Sequence, residues 1–102
     1  MSVLMNFAMF PTDKGGSVSQ YVSKVVKRVR KSGYQNQLTA MGTLVETETL
    51  PEALSLLEDT YKELDPDCER VYVTITIDIR KGVSGRIESK VKSVESKLKK
   101  QD

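Results

Sequence analysis

The chain has 102 residues and a formal net charge of +2, from 16 Lys+Arg and 14 Asp+Glu, which fits a single domain over residues 1–102. It contains no histidine and one cysteine, Cys68. This composition excludes Ser-His-Asp and Cys-His catalysis, histidine-ligated zinc, internal disulfides and cysteine-ligated metal clusters. Most hydrolase and metalloenzyme chemistry is therefore ruled out, and we expect no catalytic and no metal-ligating residues.

The N-terminal segment lacks the basic region and long apolar run of a signal peptide. No stretch approaches the roughly 20 apolar residues that a membrane-spanning helix requires. Together with the lone cysteine, these features predict a cytoplasmic protein without a membrane partner.

The small net charge conceals a strong segregation of charged residues along the chain. Residues 14–45 contain six basic and no acidic residues, residues 46–69 contain nine acidic and one basic residue, and the basic excess returns after residue 70. Such a pattern fits either a nucleic-acid surface or two solvated helix surfaces of opposite sign that complement each other between subunits. The charges fall on the outer faces of predicted helices, which favours the second interpretation.

The N-terminal part of the chain predicts a strand followed by a helix. Residues 2–10 have one wholly apolar alternating set, as a half-buried strand does. After a loop, Ser17 and Gln20 fit a capping box, so we predict that the helix begins at Ser17. Gly33 is suited to the position just beyond its end. The apolar stripe of this helix is Val18, Tyr21, Val22, Val25, Val26 and Val29.

Two short strands, Gln35–Ala40 and Thr43–Glu48, follow with Met41-Gly42 as the predicted turn of a hairpin. This turn pairs Leu38 with Val45 on the core side of the sheet. A second helix begins after a Thr49-x-x-Glu52 capping box and ends before Asp65-Pro66.

The clearest strand is 70–80, which alternates five apolar residues with polar ones. A last helix of about 86–100 has a narrow apolar stripe. The order β-α-β-β-α-β-α predicts an α+β, ferredoxin-like βαββαβ sandwich, with a four-stranded antiparallel sheet and an extra C-terminal helix.

Two helices cover only one face of such a sheet, and strand alternation predicts which residues lie on the other, open face. Water, a second subunit or a small polar ligand could cover that face. The predicted open-face residues are Leu4, Asn6, Ala8, Phe10, Gln37, Thr39, Leu44, Glu46, Tyr72, Thr74, Thr76 and Asp78.

Four segments in order resemble the small thiamine-binding protein family: Met9-Phe10-Pro11, Gly16–Val22, Met41–Glu46 and Thr76–Gly82. The resemblance covers essentially the whole chain. It implies a ferredoxin-like protomer that forms dimers through its sheets, commonly assembled into tetramers. It also implies binding of thiamine or a related pyrimidine without transforming it, as a carrier or sensor, with no other cofactor.

An aminopyrimidine needs a carboxylate or carbonyl for its amino group and hydroxyls or amides for its ring nitrogens. Glu46 could accept from the amino group, and Ser17 and Ser19 lie near a helix N-terminus that would suit a phosphate. The candidate ligand-binding residues are Asn6, Ser17, Ser19, Thr39, Thr43 and Glu46.

Three of these candidates have purely structural alternatives. Ser17 could serve only as the helix N-cap, Glu46 could be a solvent-exposed carboxylate, and Thr43 could be a buried hairpin hydroxyl, since alternation places it on the core side.

The sequence lacks the features of other functions that this architecture supports. An RNA-binding sheet stacks bases on aromatic residues of its central strands, whereas the corresponding open-face positions of this sequence have no aromatic residue. Those positions are Asn6, Ala8, Leu44 and Glu46. An acylphosphatase needs an arginine in the loop after the first strand, and a metallochaperone needs Cys-x-x-Cys there, whereas residues 11–16 contain neither. A structural or partner-binding homo-oligomer without a small-molecule ligand stays open as the alternative function.

Overall fold

The computed structural model describes residues 1–101 and shows an α+β fold, one four-stranded antiparallel sheet with three helices, in the predicted order. The elements are β1 (Ser2–Pro11), α1 (Ser19–Lys31), β2 (Gln35–Thr39), β3 (Gly42–Thr47), α2 (Leu50–Leu64), β4 (Val71–Arg80) and α3 (Arg86–Gln101).

The strands are arranged β2-β3-β1-β4, so β1 lies in the interior of the sheet and β4 at an edge. One face of β1 consists of buried apolar side chains that pack beneath α1 and α2. This alternation is the expected consequence of the period of two in a strand and confirms the prediction for β1. The buried residues of β1 are Val3, Met5, Phe7 and Met9.

The hairpin of β2 and β3 differs from the prediction in its turn. Thr39 pairs with Gly42 and Leu38 with Thr43, so the turn residues are Ala40 and Met41. Because the turn lies one residue earlier than predicted, each residue of β2 pairs with a β3 residue two positions away from its predicted partner. Every side chain of the hairpin therefore stays on its predicted face of the sheet. The predicted pairing of Leu38 with Val45 is wrong, although both lie on the core side.

The start of α1 also differs from the prediction. The helix begins at Ser19 with Val18 as its N-cap, and no side chain caps this end. The Val18 carbonyl accepts hydrogen bonds from the N–H groups of Tyr21 and Val22, both at 3.0 Å. Ser17 thus lies one residue too early to cap the first turn, and its predicted capping role is wrong.

The second capping box is confirmed. The N-cap residue Thr49 accepts a hydrogen bond from the Glu52 N–H at 3.3 Å and donates one to the Glu52 carboxylate at 2.7 Å. The basic α1 and the acidic α2 pair within the chain, through Arg28 and Asp59 at 3.0 Å. Part of the segregated charge is therefore paired within one chain.

Helix α3 matches its predicted bounds, and its described contacts with the strands come from its first two turns, where Lys90 lies 3.7 Å from the Asp78 carboxylate. Its residues from 88 to 100 are almost all exposed, and the longest dimension of the molecule is 49 Å. None of the described helices has the length and apolar character needed to cross a membrane.

Candidate functional site

A cavity of about 330 Å³ lies between the first half of α1, the end of β1 and the β2–β3 turn. Its walls are mostly apolar, and its polar side chains are the hydroxyls of Thr39 and Thr43. None of its lining residues has an ionisable side chain. The volume falls within the range typical of small-molecule sites. Apolar wall residues are Phe7, Met9, Phe10, Val22 and Val25.

The two threonines reach the cavity from adjacent strands. The Thr39 hydroxyl donates to the carbonyl O of Gly42 at 2.8 Å and accepts from the Met41 N–H at 3.2 Å, which closes the turn. Thr43 is buried on the core side, as its position in the alternation predicted. The cavity is therefore lined by a turn that the Thr39 hydroxyl closes and by Thr43 from the core side.

A second, more open groove of about 570 Å³ adjoins the cavity, since both are lined by Val22 and Leu38. Ser19, the first residue of α1, lines it together with three cationic side chains. The local positive charge makes this groove suited to an anionic group such as a phosphate. Those cations are Lys27, Arg30 and Lys31.

Three predicted site residues, Asn6, Ser17 and Glu46, lie outside the cavity and the groove. Asn6 is exposed on the open face of the sheet, opposite Leu44 of β3 and Thr76 of β4. Ser17 is exposed in the segment before α1. The structure thus brings Thr39 and Thr43 together, with Ser19 beside them, and the ligand-binding roles of Asn6 and Ser17 stay predictions.

Glu46 is buried and holds the start of α3. One of its carboxylate oxygens accepts from the Ser2 hydroxyl at 2.6 Å and from the Arg86 N–H at 3.0 Å. The other accepts from the Ile87 N–H at 3.2 Å. The alternative of a solvent-exposed carboxylate is therefore wrong: Glu46 caps a helix from a distant strand, and its ligand-binding role stays a prediction.

Arg86 is the residue that sequence reasoning missed. Its guanidinium is buried and donates to the Ser2 hydroxyl at 2.9 Å and to the Ser2 carbonyl at 2.9 Å. It also donates to the Asp78 carboxylate at 2.7 Å and to the Asp78 carbonyl at 2.6 Å. The sequence signal was slight, since Arg86 was visible only as the first residue of a predicted helix. We call Ser2, Glu46, Asp78 and Arg86 the α3 clamp.

The clamp makes stability depend on pH through Glu46. Burial raises the pKa of this carboxyl, but the hydrogen bonds from Ser2, Arg86 and Ile87 and the Arg86 charge outweigh burial, and its pKa is lowered from the ordinary 4.5. A lowered folded-state pKa stabilises the protein above the unfolded-state pKa, and this stabilisation is lost as the pH falls through the folded-state pKa.

We expect Glu46→Gln to lower the free energy of unfolding at pH 7, with a smaller deficit relative to the wild type at pH 3. Urea denaturation at both pH values measures this difference. Glu88→Gln, an exposed carboxylate in α3, serves as the control. If Glu46→Gln lowered the free energy of unfolding by the same amount at both pH values, this would contradict the lowered pKa of Glu46.

Comparisons with known proteins agree with this fold. A family model described as "Thiamine-binding protein" matches residues 5–95. UPF0045 protein Mb1933 of Mycobacterium bovis is 34% identical over 98 residues, covering 96% of each chain. UPF0045 protein MJ1052 of Methanocaldococcus jannaschii is 33% identical over 92 residues, covering 90% of this chain and 91% of the relative.

Solved structures extend the comparison. The crystal structure of MJ1052 superposes with a TM-score of 0.82 at 32% identity, covering 92% of this chain and 96% of that one. A proposed thiamine biosynthesis/salvage protein of Thermotoga maritima has a TM-score of 0.76 at 17% identity, with 89% and 99% covered, and shows the shared fold. The chain therefore has a ferredoxin-like fold and belongs to the thiamine-binding protein family.

Proposed function

We propose that this protein binds thiamine or a related pyrimidine without transforming it, as a carrier or sensor in the cytoplasm. The observation that carries the proposal is the cavity of about 330 Å³ lined by Thr39 and Thr43, in a chain of the thiamine-binding protein family. Its absence of ionisable lining side chains supports binding without general acid–base chemistry.

The aminopyrimidine ring suits the cavity itself. A flat ring packs against the apolar wall formed by Phe7 and Met9, while the hydroxyl of Thr43 donates to a ring nitrogen. The amino group of the pyrimidine then donates to backbone carbonyls of the Ala40-Met41 turn. An apolar pocket with a few well-placed polar groups is the usual composition of a small-molecule site.

The adjoining groove favours a phosphorylated ligand. Lys27, Arg30 and Lys31 repel the cationic thiazolium of free thiamine and attract a phosphate. A thiamine phosphate or a pyrimidine phosphate therefore complements the two spaces better than thiamine alone.

The proposal includes a homo-oligomer, with dimers through the open sheet faces and tetramers as a further assembly. Met41, at the rim of the cavity, is 86% exposed, which leaves a large apolar side chain for a neighbouring subunit to cover. The polar open face, with Asn6 and Thr76 at its centre, offers hydrogen bonds rather than a purely apolar contact.

Replacing Thr43 with valine removes one hydroxyl from the cavity wall while keeping the shape of the side chain. We expect about fivefold weaker binding of thiamine phosphate, measured by isothermal titration calorimetry, because one hydrogen bond is lost. Thr74→Val on the open face is the matched control, with unchanged affinity.

The same titration compares the phosphorylated with the free ligand. We expect the phosphate to bind more tightly, with an advantage that shrinks at high salt. Absence of binding by thiamine, its phosphate and the free pyrimidine at millimolar concentration would contradict the proposed function.

The second candidate is a structural or partner-binding homo-oligomer without a small-molecule ligand. The exposed apolar stripe of α3, with Val91 and Val94 more than half exposed, favours it. An oligomer that forms fully in the absence of any added thiamine compound, together with a negative titration, would support this candidate instead.

A further inference from the structure

The groove of about 570 Å³ lies beside the free edge of β2. This strand is the outermost one on the side of the sheet away from β4, so one row of its backbone N–H and C=O groups has no neighbouring strand within the chain. Leu38 of β2 lines the groove opposite residues of α1 and is 50% exposed. The chain therefore presents an unpaired strand edge and a concave surface side by side.

The wall that α1 contributes runs along nearly the whole helix. Its lining residues, from Ser19 to Lys31, follow the i, i+3, i+4 pattern of a single helix face. Twelve residue steps of a helix span about 18 Å, and the five residues of β2 span about 17 Å. An extended segment of about five residues therefore matches both walls in length.

The two ends of the groove differ in chemical character. The short loop 32–34 reverses the chain, so that β2 runs back along α1, and Leu38 and Val22 line both the groove and the adjoining cavity. Arg30 and Lys31 lie in the last turn of α1, at the end of the groove where β2 begins. The groove is therefore apolar at one end and cationic at the other.

The cations of the groove have no acidic partner in the part of the chain that the structure describes. On the flank of α1 that faces α2, Arg28 pairs with Asp59 at 3.0 Å. By contrast, Lys27, Arg30 and Lys31 form no ion pair with any described residue. Three positive charges without partners, beside an apolar surface, complement an acidic segment that also carries apolar side chains.

A polypeptide segment uses the strand edge and the groove at once. Added as a strand, it forms main-chain hydrogen bonds with β2 and directs every second side chain toward α1. Other polyanions use only the charges. Single-stranded nucleic acid stacks its bases on aromatic side chains, and the groove has none among its lining residues. A flat membrane surface cannot enter a groove between a helix and a strand.

We propose that the β2 edge and the groove beside it bind an extended acidic segment of another protein, which adds to the sheet as a fifth strand. The side chains of the segment that point toward α1 are apolar beside Val22 and Leu38 and acidic beside Arg30 and Lys31. Main-chain hydrogen bonds supply affinity, and the two ends of the groove supply selectivity.

The acidic segment and a phosphorylated ligand exclude each other, because the phosphate of the proposed ligand lies in the same groove. This consequence rests on the proposed function. Ligand binding then lowers the affinity for the partner protein, and the partner lowers the affinity for the ligand by the same factor. Such coupling would give a sensor its output.

Synthetic peptides test the docking on the full chain, without any added thiamine compound. In one peptide, threonine alternates with two valines and then two glutamates, which suits antiparallel pairing with β2, and a second peptide has the reverse order for parallel pairing. Fluorescence anisotropy measures their affinities. We expect one of the two to bind about tenfold more tightly than its counterpart with lysines in place of the glutamates. Equal binding of the glutamate and lysine versions, or no binding of either order at millimolar concentration, overturns the proposal.

The strand pairing has its own control. N-methylation of two adjacent residues removes an N–H that faces β2, whichever of the two residues donates it, and leaves every side chain in place. We expect the methylated peptide to lose most of its affinity. Binding that survives methylation, or tighter binding of oligouridylate or of phosphatidylserine vesicles than of the peptide, overturns the proposal.

A charge reversal in the protein locates the peptide. Arg30→Glu is expected to weaken the glutamate peptide about tenfold and to strengthen the lysine peptide, with the fold retained by circular dichroism. Arg70→Glu makes the same change of net charge at an exposed position outside the groove and leaves both affinities unchanged. Equal effects of the two variants would mean that only net charge matters, which overturns the proposal.

Competition separates this proposal from the proposed function. Thiamine phosphate that binds in calorimetry is expected to displace the peptide. If it binds and leaves the peptide in place, the peptide does not occupy the groove and the proposal is overturned. Failure of thiamine phosphate to bind at all would contradict the proposed function, whereas peptide binding measured without ligand would still support the docking surface.

Discussion

Replacing Arg86 with alanine is expected to lower the free energy of unfolding by about 3 kcal/mol. The guanidinium is buried, and its removal leaves the carbonyls of Ser2 and Asp78 without their donors. Buried acceptors without partners carry their full desolvation penalty, and the vacated volume adds to it. The loss should also free the first turn of α3 from the sheet.

Urea denaturation followed by circular dichroism measures this change. Lys92→Ala, on the exposed surface of the same helix, is the control and should change stability by less than about 0.5 kcal/mol. A similar small effect for both variants would mean that the clamp contributes little. Arg86→Lys keeps the charge but not the fork of donors, so we expect it to recover only part of the loss.

The second large effect is expected at Gly42, where β3 begins. A Cβ at this position would lie 2.9 Å from the carbonyl O of Phe7 and 2.9 Å from Oδ1 of Asn6. The backbone of β1 is interior to the sheet and cannot move away without disturbing its neighbours. We expect Gly42→Ala to destabilise the protein by about 2 kcal/mol and to weaken ligand binding, because Gly42 and Thr43 line the cavity.

Gly16→Ala is the matched control for this substitution. Its added methyl group would meet no atom within 4 Å, and its backbone is not in the left-handed region. Thermal unfolding and calorimetry of both variants make the comparison. If the Gly42→Ala protein had the same stability and ligand affinity as the Gly16→Ala protein, this would show that β1 and β3 separate more easily than their packing indicates.

Local signals predicted much of the fold. Thr49 and Glu52 form their capping box because all its partners lie within four residues. The strands followed from alternation, which does not depend on knowing the neighbouring strand. The hairpin turn was misplaced because glycine usually marks a turn, whereas Gly42 is needed in the strand itself, where β1 approaches closely.

The candidate site could be predicted only in part. Thr39 and Thr43 were foreseeable as neighbours because they belong to one hairpin. The role of Glu46 was not, since its partners Ser2 and Arg86 are 44 and 40 residues away. The cavity could not be predicted either, because it depends on the distance between Val22 of α1 and the β2–β3 turn.

The α3 clamp also has a consequence for the order in which the protein is built. Its bond between Ser2 and Arg86 joins positions separated by 84 residues. During synthesis, β1 has neither its β4 neighbour nor this arginine until residues 71–86 have been translated. Contacts of such high sequence separation form late and slow folding. Glu46 is therefore synthesised long before Arg86 and Ile87, whose N–H groups it binds. In a chain that is still being translated, the Glu46 carboxylate is exposed, whereas in the folded protein it holds the start of α3.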